Sequence, residues 1–166
     1  AYYDFDSPDT YLTGVIPAES NDPYTAGLAG VIVGAERHRG RWPAKASLEF
    51  TRPSDRVRVR IPGYYDAVTF TAWVRIDYLA ERDHGLLLSD VLDSGGVHWK
   101  VDGRTGKLSL ATQNDEGEVH RYESPPVMDR RLIGDWVHLA LVYDTEAETV
   151  AQFVNGEVQV IERMQS

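Results

Sequence analysis

The sequence has no cysteine in 166 residues. That excludes a disulfide framework, a Cys-ligated zinc site and thiol catalysis. It also has no run of about 18 apolar residues, the length a membrane-spanning helix needs, so no membrane contact by this domain is expected. Basic residues are in deficit: 17 Lys and Arg stand against 26 Asp and Glu, a formal charge of −9 at pH 7. A nucleic-acid binder draws its affinity from a basic face, so nucleic acid is not an expected partner. Helical periodicity is missing beyond a turn or two. The N-terminus lacks a charged n-region and an apolar h-region, so any targeting signal is expected to lie upstream or to have been removed. What the chain does hold is core material, with 42% hydrophobic and 10% aromatic residues. That is enough to bury a core in one domain spanning residues 1–166, and it excludes disorder.

The apolar residues recur with period two. Arg56-Val57-Arg58-Val59-Arg60-Ile61 alternates strictly, with three arginines on one face and Val57, Val59 and Ile61 on the other. Thr69 to Ile76, Val97 to Val101, Lys107 to Thr112, Glu118 to Tyr122, Trp136 to Tyr143, Thr149 to Val154 and Glu157 to Ile161 read as further strands. Turn chemistry separates them at Asp93-Ser94-Gly95-Gly96, Asp102 to Gly106, Asn114 to Gly117 and Asp144 to Glu148. Asn155-Gly156 is a tight hairpin signal. Residues 1–47 are less regular, with a first strand expected around Tyr2, Tyr3 and Phe5, then a meander rich in Gly and Pro. Many short strands with frequent turns predict an all-β antiparallel sandwich or barrel.

Four ordered segments resemble the laminin-G-like domains of the concanavalin A-like lectin/glucanase superfamily. They are Leu48-Glu49-Phe50 with Asp55 to Val59, Phe70 to Val74, Gly134 to Asp144, and Phe153-Val154-Asn155-Gly156. Leu86 to Asp90 followed by Gly96 to Val101 is similar to the modules at the C-terminal end of bacterial FecR-type sigma-factor regulators. The resemblance implies a jelly roll of two antiparallel sheets, extracytoplasmic (periplasmic or at the cell surface) and part of a larger protein. It also implies a final strand beside the N-terminal one. No such segment follows the Asn-Gly hairpin, so the partner of the Tyr2–Phe5 strand is open.

The chemistry points away from catalysis. Hydrolases of this fold place E-x-D-x-x-E on one strand, because two carboxylates must flank the scissile bond. The nearest string, Glu81-Arg82-Asp83-His84, lacks the third acid; Glu116 and Glu118 lie beside a turn. No G-x-S-x-G elbow exists, and Ser89 or Ser94 with His84 or His98 makes a poor dyad. A non-catalytic recognition module is therefore expected, with a carbohydrate or protein ligand. The alternative is a protein-interaction or sensing domain without sugar affinity.

Calcium is a candidate cofactor that the resemblance implies, with Asp4, Asp6, Asp9, Asp90, Asp93, Asp115, Glu116 and Asp144 as candidate acids and no defined ligand set. Sugars stack on aromatic rings, which makes Trp42, Trp99, Tyr122, Tyr64 and Tyr65 candidates. Trp73 and Trp136 are expected in the core. For Trp99 two readings stand: core, with His98 and Lys100 displayed, or surface. Trp99, His98, Lys100 and Tyr122 form the expected ligand site. Arg56, Arg58 and Arg60 form a candidate anion stripe, against the plainer reading of a solvated edge whose like charges discourage pairing.

Overall fold

A computed structural model describes residues 1–3, 5–19, 28–63 and 65–165, the side chains of Pro8, Asp9 and Glu19 excepted. The expected residues Asp4 and Tyr64 and the side chain of Asp9 lie outside that description. The chain divides into two compact units, Ala1–Tyr64 and Tyr65–Ser166, and among the described residues the strands named below pair antiparallel.

In the first unit, β1 (Tyr2–Tyr3) pairs with β3 (Ala18–Glu19), Tyr2 opposite Glu19 and Tyr3 opposite Ala18. The N-terminal strand thus finds its partner 16 residues on in the chain. Between them, α1 (Pro8–Thr13) starts on a proline and stops at Gly14 in the left-handed conformation, φ 69°. It leads into β2 (Val15–Ile16). β2, β4 (Gly30–Val33) and β7 (Arg56–Arg58) form a three-stranded sheet, and β5 (Glu36–Arg39) pairs with β6 (Ala46–Glu49).

The alternating Arg56–Ile61 segment is thus a shorter strand than its pattern predicts. The β4–β7 ladder ends with Val31 opposite Arg58, and Pro62, which has no N–H to give, follows soon after. The 51–55 turn before β7 is tied by Asp55, whose Oδ2 accepts the Thr51 and Arg52 N–H groups at 3.0 and 2.8 Å. Asp55 needs a glycine opposite: a Cβ at Gly34, φ +78°, would sit 2.3 Å from its Oδ1.

The second unit is a sandwich. β8 (Ala67–Arg75), β13 (Trp136–Asp144), β14 (Thr149–Val154) and β15 (Glu157–Arg163) make one sheet, in the order β15-β14-β13-β8. β9 (Asp83–Leu88), β10 (Val97–Asp102), β11 (Lys107–Gln113) and β12 (Val119–Pro126) make the other, in chain order. β8 and β13 pair over nine positions, from Trp136 opposite Arg75 to Asp144 opposite Ala67. Asn155 and Gly156 close the β14–β15 hairpin with φ of 52° and 84°, the two positive values a type I′ turn demands.

Val137, Leu139, Leu141, Val150 and Val154 of one sheet meet Trp99, Val101, Leu108, Leu110 and Tyr122 of the other in one buried cluster. The hydrophobic effect drives that layer, and truncating one of its leucines to alanine costs about 2–5 kcal/mol. The fold is the all-β, antiparallel, concanavalin A-like jelly-roll sandwich that the alternation and the resemblance lead one to expect.

Two tryptophans expected in the core lie outside it. Trp73 is 39% exposed, and Trp136 is half-buried and absent from the core cluster. Inside β8 the inward positions are Val68, Phe70, Ala72 and Val74, which places Trp73 with Thr69, Thr71 and Arg75 on the other face. On β13 the inward set is Val137, Leu139 and Leu141, leaving Trp136 and His138 outside. The tryptophan at the centre of the core is Trp99, 2% exposed.

Candidate functional site

The expected ligand site does not form a binding surface. Trp99 and Tyr122 are 2% and 1% exposed, so neither offers a ring face to a ligand. Trp99 Nε1 donates to Gln152 Oε1 at 3.1 Å, and Gln152 Nε2 donates to the Tyr122 carbonyl at 3.2 Å. A buried indole N–H needs an acceptor, and this relay supplies one across the two sheets. The Tyr122 hydroxyl accepts the Gln165 N–H. Burial, with the phenol of Tyr122 close by, pushes the Tyr143 hydroxyl above its ordinary pKa.

His98 and Lys100 alternate with Trp99 and fall on the opposite face of β10, half-buried. Lys100 pairs with Asp83 at 2.5 Å, and a His98 ring nitrogen lies 3.2 Å from the Ser89 carbonyl. Ser89 Oγ donates to the Val91 carbonyl at 2.6 Å and accepts the Val97 N–H at 3.0 Å. The two side chains are therefore held by local structure, and the ring nitrogen of His98 meets a backbone carbonyl, not a serine hydroxyl.

The arginine stripe is displayed as its alternation predicts. Arg56, Arg58 and Arg60 are exposed while Val57 and Val59 turn inward. Arg56 Nη1 donates to the Ser54 carbonyl at 2.8 Å.

The candidate calcium ligands among the described residues are not gathered. Among the described residues no three His, Asp or Glu side chains come together. Asp6 is taken by Lys45 and by the Ala46 N–H, and those bonds hold its carboxyl below the usual range. Asp115 accepts from Ser94, and Asp144 caps the Ala147 N–H at 2.9 Å. A hard cation wants six to eight oxygens, and the described candidates bring no such set together.

Of the other candidate rings Trp42 and Tyr65 are exposed, 49% and 41%, and a further aromatic surface lies where the sequence reading put core. On the outer face of the β8–β13 pair, Trp73 stands directly opposite His138, with ring centroids 5.0 Å apart and planes tilted by 53°. One step along, Arg75 stands opposite Trp136, its guanidinium carbon 5.7 Å from the indole centroid. Asp77, just past the strand, takes Arg75 through two bonds, Nε at 2.8 Å and Nη2 at 3.1 Å. Behind Trp73 the outer face continues with Thr71, Ala140 and Phe153 in one row. The result is an indole flanked by an imidazole, a hydroxyl and a guanidinium–carboxylate pair, on strands whose other face is locked into the core.

A sequence signal for this site exists. The partners of Trp73 at two-residue spacing are Thr71 and Arg75, not the apolar Phe70, Ala72 and Val74.

Comparison with known proteins agrees with the architecture. The laminin-G-type family described as the concanavalin A-like lectin/glucanases superfamily matches residues 55–163. The chain belongs to that superfamily. No curated protein matches it significantly. Among solved structures it is similar to the binding domain of Paraclostridial Mosquitocidal Protein 1, at TM-score 0.65 and 14% identity over 90% of this chain. It is also similar to a tryptophan-to-alanine mutant of HCR/D, at TM-score 0.64 and 9% identity over 91% of this chain. It spans 39% and 38% of those two chains. A carbohydrate-binding module of a Ruminococcus gnavus sialidase aligns with 60% of this chain and 53% of its own at 15% identity, TM-score 0.42.

Proposed function

We propose that this domain is a non-catalytic carbohydrate-recognition module that seats a sugar on Trp73. The observation that carries the reading is the placement of a large, 39% exposed indole on a rigid sheet face, ringed by hydrogen-bonding side chains. The apolar face of a pyranose stacks on such a ring, while His138, Thr71 and the Arg75–Asp77 pair address its hydroxyls. A sheet face needs little reorganisation on binding, which limits the entropic cost. Membership of a lectin-like superfamily supports a binding role without fixing its ligand. The absence of the E-x-D-x-x-E string supports a role without hydrolysis. We place the module outside the cytoplasm, in a larger protein, in line with its likeness to FecR-type regulator modules.

The test is a glycan array read with wild-type protein and a Trp73→Ala variant of unchanged melting temperature. Loss of roughly tenfold or more in affinity for every bound glycan supports the reading. Glycan binding that survives the substitution, or release of reducing sugar from bound glycans, rejects it.

A further inference from the structure

The charge around Trp73 narrows the ligand class. We propose, resting on the reading above, that this face takes neutral pyranoses presenting a vicinal diol and discriminates against carboxylated sugars. β8 and β13 carry one permanent cation between them, Arg75. A site for an acidic sugar would offer that guanidinium a free fork for the incoming carboxylate. Here the fork is occupied: Asp77 takes both Nε and Nη2 in a bidentate pair. A second carboxylate would have to displace the first and would meet it as a like charge.

The pair suits a diol. Nη1 lies outside the two bonds to Asp77 and donates to one hydroxyl, while an Asp77 oxygen, on a side chain 59% exposed, accepts from the next. Trp73 and Arg75 are two positions apart on one strand, on the order of 6.6 Å, so a pyranose stacked on the indole brings its hydroxyls to the pair.

The wider field acts in the same sense. Residues 65–166 carry 18 Asp and Glu against nine Lys and Arg, so the whole formal charge of −9 falls on this unit. Asp135 precedes Trp136, and Glu157 follows the Asn155-Gly156 turn that bonds the His138 backbone on both sides. An anionic sugar approaches against that field, which added salt screens.

The experiment is an array bearing neutral glycans beside C6-carboxylated and sialylated forms of the same cores. Hits are titrated calorimetrically at low and at physiological salt with wild type, Trp73→Ala and Asp77→Asn, each checked by its melting temperature. The expected result is binding of neutral members about tenfold or more tighter than their carboxylated counterparts, with the gap narrowing as salt rises. Asp77→Asn is expected to weaken neutral binding severalfold and to narrow the gap by releasing Arg75. Equal or tighter binding of the carboxylated members overturns the inference while leaving the sugar face standing. An unchanged preference in Asp77→Asn overturns the role given to the pair. Absence of any Trp73-dependent binding, neutral or acidic, overturns the proposed function and this inference with it.

Discussion

The two units of this chain divide the charge between them unequally. Residues 1–64 hold eight acidic and eight basic side chains, whereas residues 65–166 hold eighteen and nine. The first unit is made of strands of two to four residues, and its arginines crowd into 37–60; the second is made of strands of six to nine residues around a dry layer. The difference teaches that the overall charge of −9 belongs to the second unit alone. An argument from net charge against an anionic partner therefore applies to the sandwich and says little of the Arg56–Arg58–Arg60 stripe. It also teaches where stability resides: long paired strands bury a continuous apolar layer, while the short strands lean on side-chain ties such as Asp6–Lys45 and the Asp55 turn.

The sharpest way to break this contrast is to truncate the buried indole. Trp99→Ala should cost about 3–5 kcal/mol in chemical denaturation, and Trp73→Ala should cost clearly less, because 39% of its surface is already exposed. Equal losses would mean that the two faces of the sandwich sheets have been misjudged. Next comes the relay. Gln152→Leu keeps the volume but strands the Trp99 N–H, at about 1–3 kcal/mol in the same assay. A neutral outcome would show that the inter-sheet bond contributes nothing.

Acid should loosen the short-strand unit. Asp6 is held below the usual carboxylate range chiefly by Lys45, and Asp55 chiefly by the Arg52 N–H. A carboxyl depressed by folding stabilises above its unfolded pKa, near 3.9, and that stability is lost as pH falls through the lower folded value. Hydrogen-exchange protection factors at residues 30–58, corrected for the intrinsic rate, should therefore fall below about pH 4, earlier than in β13. Asp6→Asn with Asp55→Asn should lower that protection at pH 7 and flatten its acid response. The smallest effect is expected from Arg56→Ala, Arg58→Ala and Arg60→Ala, each within about 0.5 kcal/mol because all three side chains are exposed. A salt-dependent loss of binding to a sulfated polysaccharide in the triple variant would instead turn the solvated stripe into an anion site.

Much of the fold was legible in the sequence, because a buried layer forces alternation and alternation survives in one chain. β10, β11, β13, β14 and β15 begin where the pattern begins, and the Asn155-Gly156 turn has the backbone its residues demand. β9 was missed, since Gly85 and the run Leu86-Leu87-Leu88 blur its period; the register with β10 slips at Trp99/Lys100. β1 was placed, but its partner β3 was not, because strands of two residues carry no periodic signal.

The site was misread for a different reason. Residue type alone argues for core at Trp73 and Trp136, large apolar rings in the strands that carry the resemblance, whereas their neighbours two positions away mark the outer face. The error ran the other way for Tyr122, whose flanking Arg121 and Glu123 lie on the face opposite to it. Parity decides the face, and the identity of one residue does not.

The most direct measurement of the central claim uses the four tryptophans as separate reporters. Nitrogen–proton spectra resolve the indole N–H signals of Trp42, Trp73, Trp99 and Trp136 while a glycan drawn from the array is titrated in. Trp73 should shift most, Trp136 should follow through its contact with Arg75, and Trp99 should stay fixed on Gln152. A shift at Trp99 or Trp42 with Trp73 motionless would contradict that claim.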